Sequence, residues 1–151
     1  MNSSKVKVLV DKTYLLPILG VEVEGVEETL KALRELYVKG RIKLLYSPFS
    51  LLEAIGKISR ARYDARRVDE GITSIIDSGV FKAALPGPGA YVEALKLRGR
   101  GFRDLIDLLL YLTAKQYGAR FLTRDRELVE FLDREGEDLS VIIREEELHL
   151  L

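Results

Sequence analysis

Two aspartates stand where chemistry is expected, directly after apolar runs that are typical of strands. Asp11 follows the run that ends at Val10, and Asp125 comes shortly after Phe121 and Leu122. In open α/β sheets ligands bind beyond the carboxyl ends of strands, so both carboxylates are candidates for a site. Each could instead cap the helix that follows, because aspartate accepts hydrogen bonds from the free N–H groups of a first turn. This alternative is strongest for Asp125.

Asp107 is the acidic residue whose surroundings most favour a chemical role. It lies in the segment 105–112, which is apolar on nearly every side and therefore typical of a helix buried between layers. A carboxylate in such a place costs several kcal/mol unless it is paired or bound to a cation. The alternative, a favourable interaction with the helix dipole, suits Asp104 better, because Asp104 lies nearer the start of the helix.

Glu53 is the candidate whose assignment to a site depends most on the other acidic residues. Leu51, Ile55 and Ile58 share one face of a predicted helix, and Glu53 points almost to the opposite side. Helical periodicity alone therefore favours a solvated side chain at this position.

Together these carboxylates indicate a site for a hard divalent cation. The chain has no cysteine, which excludes a disulfide scaffold, a cysteine-rich zinc site and thiol catalysis. The single histidine, His149, is close to the end of the sequence, where a rigid catalytic base is not expected. Carboxylate oxygens suit Mg²⁺ or Mn²⁺ rather than zinc, and such ions usually act on phosphates.

The elements that must position these residues alternate between strands and helices. This alternation predicts the α/β class, with one parallel sheet covered on both faces in a three-layer α/β/α sandwich. No repeat or linker divides the 151 residues, so we expect a single domain over 1–151. Strands are predicted over 5–10, 42–46, 80–84, 121–122 and 141–143, and helices over 13–19 (or a turn), 26–37, 48–59, 62–77, 90–97, 102–117 and 126–134, with a loop at 85–89.

The charge balance of the chain does not by itself indicate a nucleic-acid binder. Lysine plus arginine and aspartate plus glutamate both number 24, so binding to nucleic acid must depend on local patches. Arg124 and Arg126 flank Asp125 and are the best placed to contact a substrate. Two further basic clusters could contact phosphates or could equally be solvated helix faces; they are Lys57, Arg60, Arg62, Arg66 and Arg67, and Lys96, Arg98, Arg100 and Arg103.

The sequence also carries hints about location and habitat. Residues 1–10 lack the long apolar region of a signal peptide, and the most apolar stretch, 105–114, is shorter than the ~20 residues that span a bilayer. We therefore expect a cytoplasmic protein with no membrane partner. Asn2 is the only asparagine and Gln116 the only glutamine, and this scarcity of thermolabile residues indicates a thermophile.

The segment 107–125 resembles the PIN domain, the nuclease fold of VapC-type toxins and of several RNA-processing enzymes. Asp107 opens a helix, a small residue at Ala114 and then Gly118 follow, and a short strand leads to Thr123 and Asp125. The first strand, ending in Asp11 and followed by Thr13, is similar to the segment with the family's first acid. Residues 47–53, ending in Glu53, are similar to the segment with its second acid.

The resemblance implies a sheet order of 3-2-1-4-5, an inward-turned Glu53 and a metal-dependent endoribonuclease. Asp11, Glu53, Asp107 and Asp125 would hold one or two Mg²⁺ or Mn²⁺ ions. Thr13, Thr123 and Asp104 would be neighbours that orient these carboxylates or approach the metal. A metal-activated water would cleave an RNA phosphodiester, leaving 5′-phosphate and 3′-hydroxyl ends. The resemblance to toxins also implies an antitoxin partner and a homodimer.

Three other interpretations stay open at this stage. The chain could be an RNA-maturation nuclease rather than a toxin, or a PIN fold that has lost catalysis and serves as a binding module. It could also be a phosphoacceptor domain of the receiver type. That class needs an aspartate after the third strand, and the predicted strand 80–84 offers none.

Overall fold

The computed structural model describes residues 5–151. The expectation that no signal peptide is present concerned residues 1–10, of which 1–4 lie outside the described residues.

Five strands of the described chain form one parallel sheet. They are β1 (Val6–Val10), β2 (Ile42–Tyr46), β3 (Phe81–Ala83), β4 (Arg120–Leu122) and β5 (Ile142–Ile143), in the order β3-β2-β1-β4-β5. Every neighbouring pair is parallel; Val10, for example, aligns with Tyr46 of β2 and with Leu122 of β4. The predicted strand order 3-2-1-4-5 is confirmed. It differs from the 2-1-3-4-5 order of receiver-type folds, which argues against that interpretation.

Helices cover both faces of the sheet and complete the predicted three-layer sandwich. They are α1 (Lys12–Leu15), α2 (Glu27–Val38), α3 (Pro48–Ile58), α4 (Ala65–Asp77), α5 (Pro88–Gly99), α6 (Leu105–Tyr117) and α7 (Arg126–Arg134). Short 3-10 helices cover Leu16–Leu19, Leu139–Val141 and Glu145–Leu150. The last two were not predicted, and Val141 was predicted to belong to the final strand.

The alternation of side chains along β1 shows why both faces are apolar. Leu9 belongs to the core cluster formed with α5, α6 and α7, whereas Val8 and Val10 belong to the cluster on the other face, with residues of α1 to α4. All three side chains are completely buried. A strand covered on both sides reads as a continuous apolar run, which is the pattern that made β1 predictable.

Helix starts differ from the predictions where a cap was overlooked. α4 begins at Ala65 rather than at 62 because Asp64 Oδ1 accepts hydrogen bonds from the N–H groups of Arg66 and Arg67. α6 begins at Leu105 rather than at 102 because Asp104 caps it. α5 begins at Pro88, inside the predicted loop, because proline is well tolerated at the first helical position.

The chain leaves the adjacent strands β1 and β4 toward opposite faces of the sheet. After β1 it enters α1, whose Tyr14 and Leu15 pack in one core cluster, and after β4 it enters α7, whose Leu128 packs in the other. This divergence makes the carboxyl ends of β1 and β4 a topological switch point, the usual place for a ligand in such a fold.

Candidate active site

Asp11 follows β1 directly, at this switch point, and also caps α1. Its Oδ1 accepts a hydrogen bond from the backbone N–H of Thr13 at 2.9 Å. Burial raises the pKa of Asp11 to about 6, although hydrogen bonds from Thr13 and from the side chain of Thr123 oppose the shift. A buried carboxylate that is costly to ionise at a switch point is a candidate for a functional site.

Asp125 occupies the corresponding position after β4 and caps α7. Its Oδ1 accepts a hydrogen bond from the N–H of Leu128 at 3.1 Å, and its own N–H donates to Thr123 Oγ1 at 3.1 Å. The capping role foreseen for both strand-end aspartates is therefore present. It does not exclude a second role, because a carboxylate has two oxygens and the cap of Asp125 uses one.

Asp107 lies at the start of α6, where several negative charges meet. Burial, and then the charges of Asp104, Asp11 and Asp125, raise the pKa of Asp107 to about 8. The structure therefore brings the aspartates of β1, β4 and α6 into mutual electrostatic contact, although they are far apart in the sequence. Asp107 is harder to ionise because it is buried and because its neighbours are also acidic.

Glu53 reaches the same region from α3. Its side chain is only 24% exposed, and its Oε2 lies 3.6 Å from Lys12 Nζ, next to Asp11. Burial raises the pKa of Glu53, the charge of Lys12 lowers it, and Asp104 raises it again. The solvated glutamate that the helical wheel favoured is thus not what the structure shows. Glu53 turns toward α1, because packing of α3 against α1 outweighs the periodicity of α3 alone.

The candidate ligands have the right chemistry for a hard divalent cation. Their present positions, however, do not form a site for one. Every candidate ligand is a carboxylate oxygen, and burial together with the neighbouring acids raises the pKa of Asp107. Over residues 5–151, however, no three acidic, histidine or cysteine side chains converge closely enough to hold one ion. Binding would therefore require these side chains to change rotamer.

The two arginines beside Asp125 have different surroundings. Arg124 Nε donates to Glu145 Oε2 at 2.8 Å and Arg124 Nη1 donates to the carbonyl of Glu24 at 2.8 Å. A substrate contact by Arg124 would therefore have to use donor atoms other than these two. Arg126 is exposed and, within the described part of the chain, has no ion-pair partner within 4.0 Å. Both arginines line a cavity of about 570 Å³ that also borders Asp125.

The two basic clusters are partly neutralised by acidic neighbours. Three of their members form ion pairs, namely Arg66 with Glu70, Lys96 with Glu93 and Arg100 with Glu135. These pairs support the interpretation of solvated helix faces for those members.

Three residues near the site were not singled out from the sequence. Lys12 could have been noticed, because it directly follows Asp11. Tyr14 and Glu145 could not, because they are 131 residues apart and only the fold makes Tyr14 Oη donate to Glu145 Oε2 at 2.8 Å.

Comparison with known proteins assigns this architecture to a family. The model of the PIN domain family matches residues 8–132. The chain belongs to the PIN-domain family. The match includes Asp11, Glu53, Asp107 and Asp125, and it confirms the family resemblance seen in the sequence. The PIN domain is a nuclease fold, so hydrolysis of nucleic acid is the activity that the family assigns at a coarse level.

Solved structures share the fold of this PIN domain at low sequence identity. PAE2754 from Pyrobaculum aerophilum is 21% identical, with a TM-score of 0.58, over 96% of this chain and 93% of that chain. FitAB, solved bound to an IR36 DNA fragment, is 15% identical, with a TM-score of 0.61, over 91% of this chain and 94% of that one. FitAcB from Neisseria gonorrhoeae is 16% identical, with a TM-score of 0.56, over 83% and 93%.

No curated protein matches the sequence significantly. Within residues 5–151 of this PIN domain, no helix has the length and apolar character needed to cross a membrane.

Proposed function

We propose that this PIN domain is a Mg²⁺- or Mn²⁺-dependent endoribonuclease, the toxin of a toxin–antitoxin pair. The observation that carries the proposal is the placement of Asp11 and Asp125 after the paired strands β1 and β4, with Asp107 and Asp104 at the start of α6 close enough to raise the pKa of Asp107 together with burial. A cluster of like charges at a topological switch point is stabilised by a bound cation. The family's nuclease fold supplies the reaction class.

Asp11, Glu53, Asp107 and Asp125 would hold the divalent cation. When bound, such an ion would activate water and neutralise charge on the phosphodiester during cleavage. Thr13 and Thr123 would orient the carboxylates, because Thr13 hydrogen-bonds Asp11 and Thr123 hydrogen-bonds both Asp11 and the backbone of Asp125. Asp104 would add negative charge without leaving its capping position on α6.

RNA is the proposed substrate, and Arg126 is the proposed phosphate contact beside the site. Its exposure, its lack of an ion-pair partner among residues 5–151 and its position next to Asp125 all favour this role. Arg124 would contribute to substrate binding only with donor atoms that Glu145 and Glu24 do not use.

The proposed partners are an antitoxin protein and a second copy of the chain. Both rest on the resemblance to VapC-type toxins. Sedimentation at micromolar concentration tests the dimer: a particle of twice 17.1 kDa is expected, and a monomer contradicts it.

A catalytically silent PIN module is the second candidate. It is favoured by the absence, among residues 5–151, of three acidic side chains in a coordinating arrangement. An RNA-maturation nuclease would use the same carboxylates and differ only in its RNA target.

The deciding experiment is cleavage of end-labelled single-stranded and structured RNA, with single-stranded DNA as a comparison substrate. Reactions contain Mn²⁺, Mg²⁺ or excess chelator. Asp107→Asn and Asp11→Asn are tested beside Asp69→Asn, which removes the same charge from the exposed face of α4. Metal-dependent cleavage of RNA that is lost in the first two variants and kept in the third supports the proposal.

Other outcomes would assign a different function. Cleavage that persists in Asp107→Asn places the active site elsewhere. Preferential cleavage of DNA overturns the substrate class. If Mn²⁺ binds but no nucleic acid is cut, the silent module becomes the better interpretation.

A further inference from the structure

Glu145 joins two segments of the candidate site through one carboxylate oxygen. Its Oε2 accepts hydrogen bonds from Tyr14 Oη and from Arg124 Nε, each at 2.8 Å. Tyr14 belongs to α1, just after Asp11, and Arg124 lies directly between Thr123 and Asp125. The 3-10 helix that carries Glu145 thus connects the segments that leave β1 and β4.

The environment of Glu145 keeps it charged. Burial by itself would raise the pKa of Glu145, but hydrogen bonds from Arg124, Tyr14 and Thr29 outweigh burial and lower it. Tyr14 is 1% exposed, and burial and the neighbouring Glu145 raise its pKa, so its hydroxyl stays protonated and continues to donate. The result is a partly buried ion pair between Glu145 and Arg124, with side-chain exposures of 23% and 32%.

The position of Arg124 gives this ion pair a chemical consequence. Arg124 is the residue before Asp125, whose carboxylate lies in a cluster of negative charges. A guanidinium always carries its charge and pairs readily with carboxylates. Without Glu145, the guanidinium would keep the carbonyl of Glu24 as an acceptor but would lose its carboxylate partner. Its uncompensated charge would then compete with a divalent cation for the oxygens of the nearby acids.

We propose that Glu145, supported by Tyr14, is a positioning residue that binds Arg124 and keeps its guanidinium away from the acidic residues of the site. Glu145 thereby sets the affinity of the site for a divalent cation without contacting the ion. This inference rests on the proposed function for the existence of the cation site.

Direct titration of the full chain with Mn²⁺ by calorimetry tests the inference without RNA. We expect Glu145→Gln to weaken Mn²⁺ binding roughly tenfold. The rate of RNA cleavage at saturating Mn²⁺ should stay within about twofold of the wild type, because Glu145 touches neither ion nor substrate. Glu146→Gln, an exposed neighbour on the same 3-10 helix, should bind Mn²⁺ like the wild type.

The double variant separates this role from a merely structural one. If the freed guanidinium is what competes with the cation, Arg124→Gln introduced into Glu145→Gln should restore most of the affinity. Tyr14→Phe, which removes one donor and leaves the ion pair, should weaken binding only about twofold. Because Tyr14→Phe alters the structure little, it still tests the inference if Glu145→Gln does not fold.

Two results would overturn the inference. The first is wild-type affinity in Glu145→Gln. The second is a double variant that binds Mn²⁺ more weakly than either single variant, which would mean that Glu145 only stabilises the fold. Failure of the proposed function has a different signature: normal Mn²⁺ binding with no RNA cleavage in the wild type. If the wild type binds no Mn²⁺, both are overturned.

Discussion

Asp104 Oδ1 accepts a hydrogen bond from the backbone N–H of Asp107 at 3.1 Å. The bond holds Asp104, the cap of α6, one turn away from Asp107, whose pKa is raised to about 8. The pairing satisfies a free N–H of the helix, and it also places a second negative charge beside Asp107. One residue therefore serves the fold while it makes Asp107 harder to ionise.

The two roles of Asp104 can be separated by substitution. Asp104→Asn should keep the cap, since asparagine caps about as well as aspartate, whereas Asp104→Ala should lower the free energy of unfolding by about 1 kcal/mol. Both variants should lower the pKa of Asp107 and weaken Mn²⁺ binding by roughly threefold to tenfold, because both remove a nearby negative charge. Calorimetric titration and thermal melts measure the two effects. Unchanged affinity in both variants would exclude Asp104 from the surroundings of the ion.

The stability of the metal-free protein should fall as the pH rises. The pKa values of Asp107 and Asp11 are raised from 3.8 to about 8 and about 6, so between pH 4 and 8 the folded state holds protons that the unfolded chain has released. The free energy of unfolding then decreases with pH over this interval and levels off above it. Chemical denaturation in excess chelator from pH 4 to 9 measures this decrease.

Asp107→Asn provides the control for this pH dependence. The variant should lose most of the slope between pH 6 and 8 and should be more stable than the wild type at pH 8 without metal. Added Mn²⁺ should stabilise the wild type most at high pH, because protons and metal compete for the same carboxylates. Equal slopes in variant and wild type would mean that Asp107 does not titrate in this range.

Thr123 should couple the two strand-end aspartates. Its side chain is 4% exposed, its Oγ1 accepts from the N–H of Asp125, and it hydrogen-bonds the carboxylate of Asp11. Thr123→Val keeps the shape and removes the hydroxyl, so it should cost about 1–3 kcal/mol of stability and weaken Mn²⁺ binding. Thr123→Ser should retain both properties to within a small loss. If valine behaves like serine in titration and melting, the hydroxyl does not orient the site.

Arg126 should contribute to RNA binding mainly through charge. Arg126→Gln should weaken RNA binding at low salt and reduce the slope of log affinity against log salt by roughly 0.7, the value for one contact to a single strand. Arg120→Gln is the matched control, because Arg120 is exposed at the opposite end of β4. Binding isotherms between low and physiological salt measure both slopes. Equal slopes for the two variants would remove Arg126 from the substrate path.

Much of the fold could be predicted from the sequence, because apolar residues recur with the period of the strand or helix that buries them. A strand covered on both faces is mostly apolar, and each of the five strands was predicted within one residue of its observed bounds. The helix starts at Asp64 and Asp104 were misplaced by three residues, because a capping aspartate looks like any other acid until its partner N–H groups are known. The strand order came from the family resemblance rather than from periodicity.

The residue types of the candidate site were also determined by the sequence. A chain with no cysteine and one histidine leaves carboxylates as its metal-binding groups, and Asp107 in an apolar helix is conspicuous without any structure. The tertiary structure alone decided how these groups are arranged. It turned Glu53 toward Lys12 against its helical periodicity, and it paired Arg124, predicted as a substrate contact, with Glu145. Such pairings depend on distances between residues far apart in the chain, and local sequence patterns do not encode those distances.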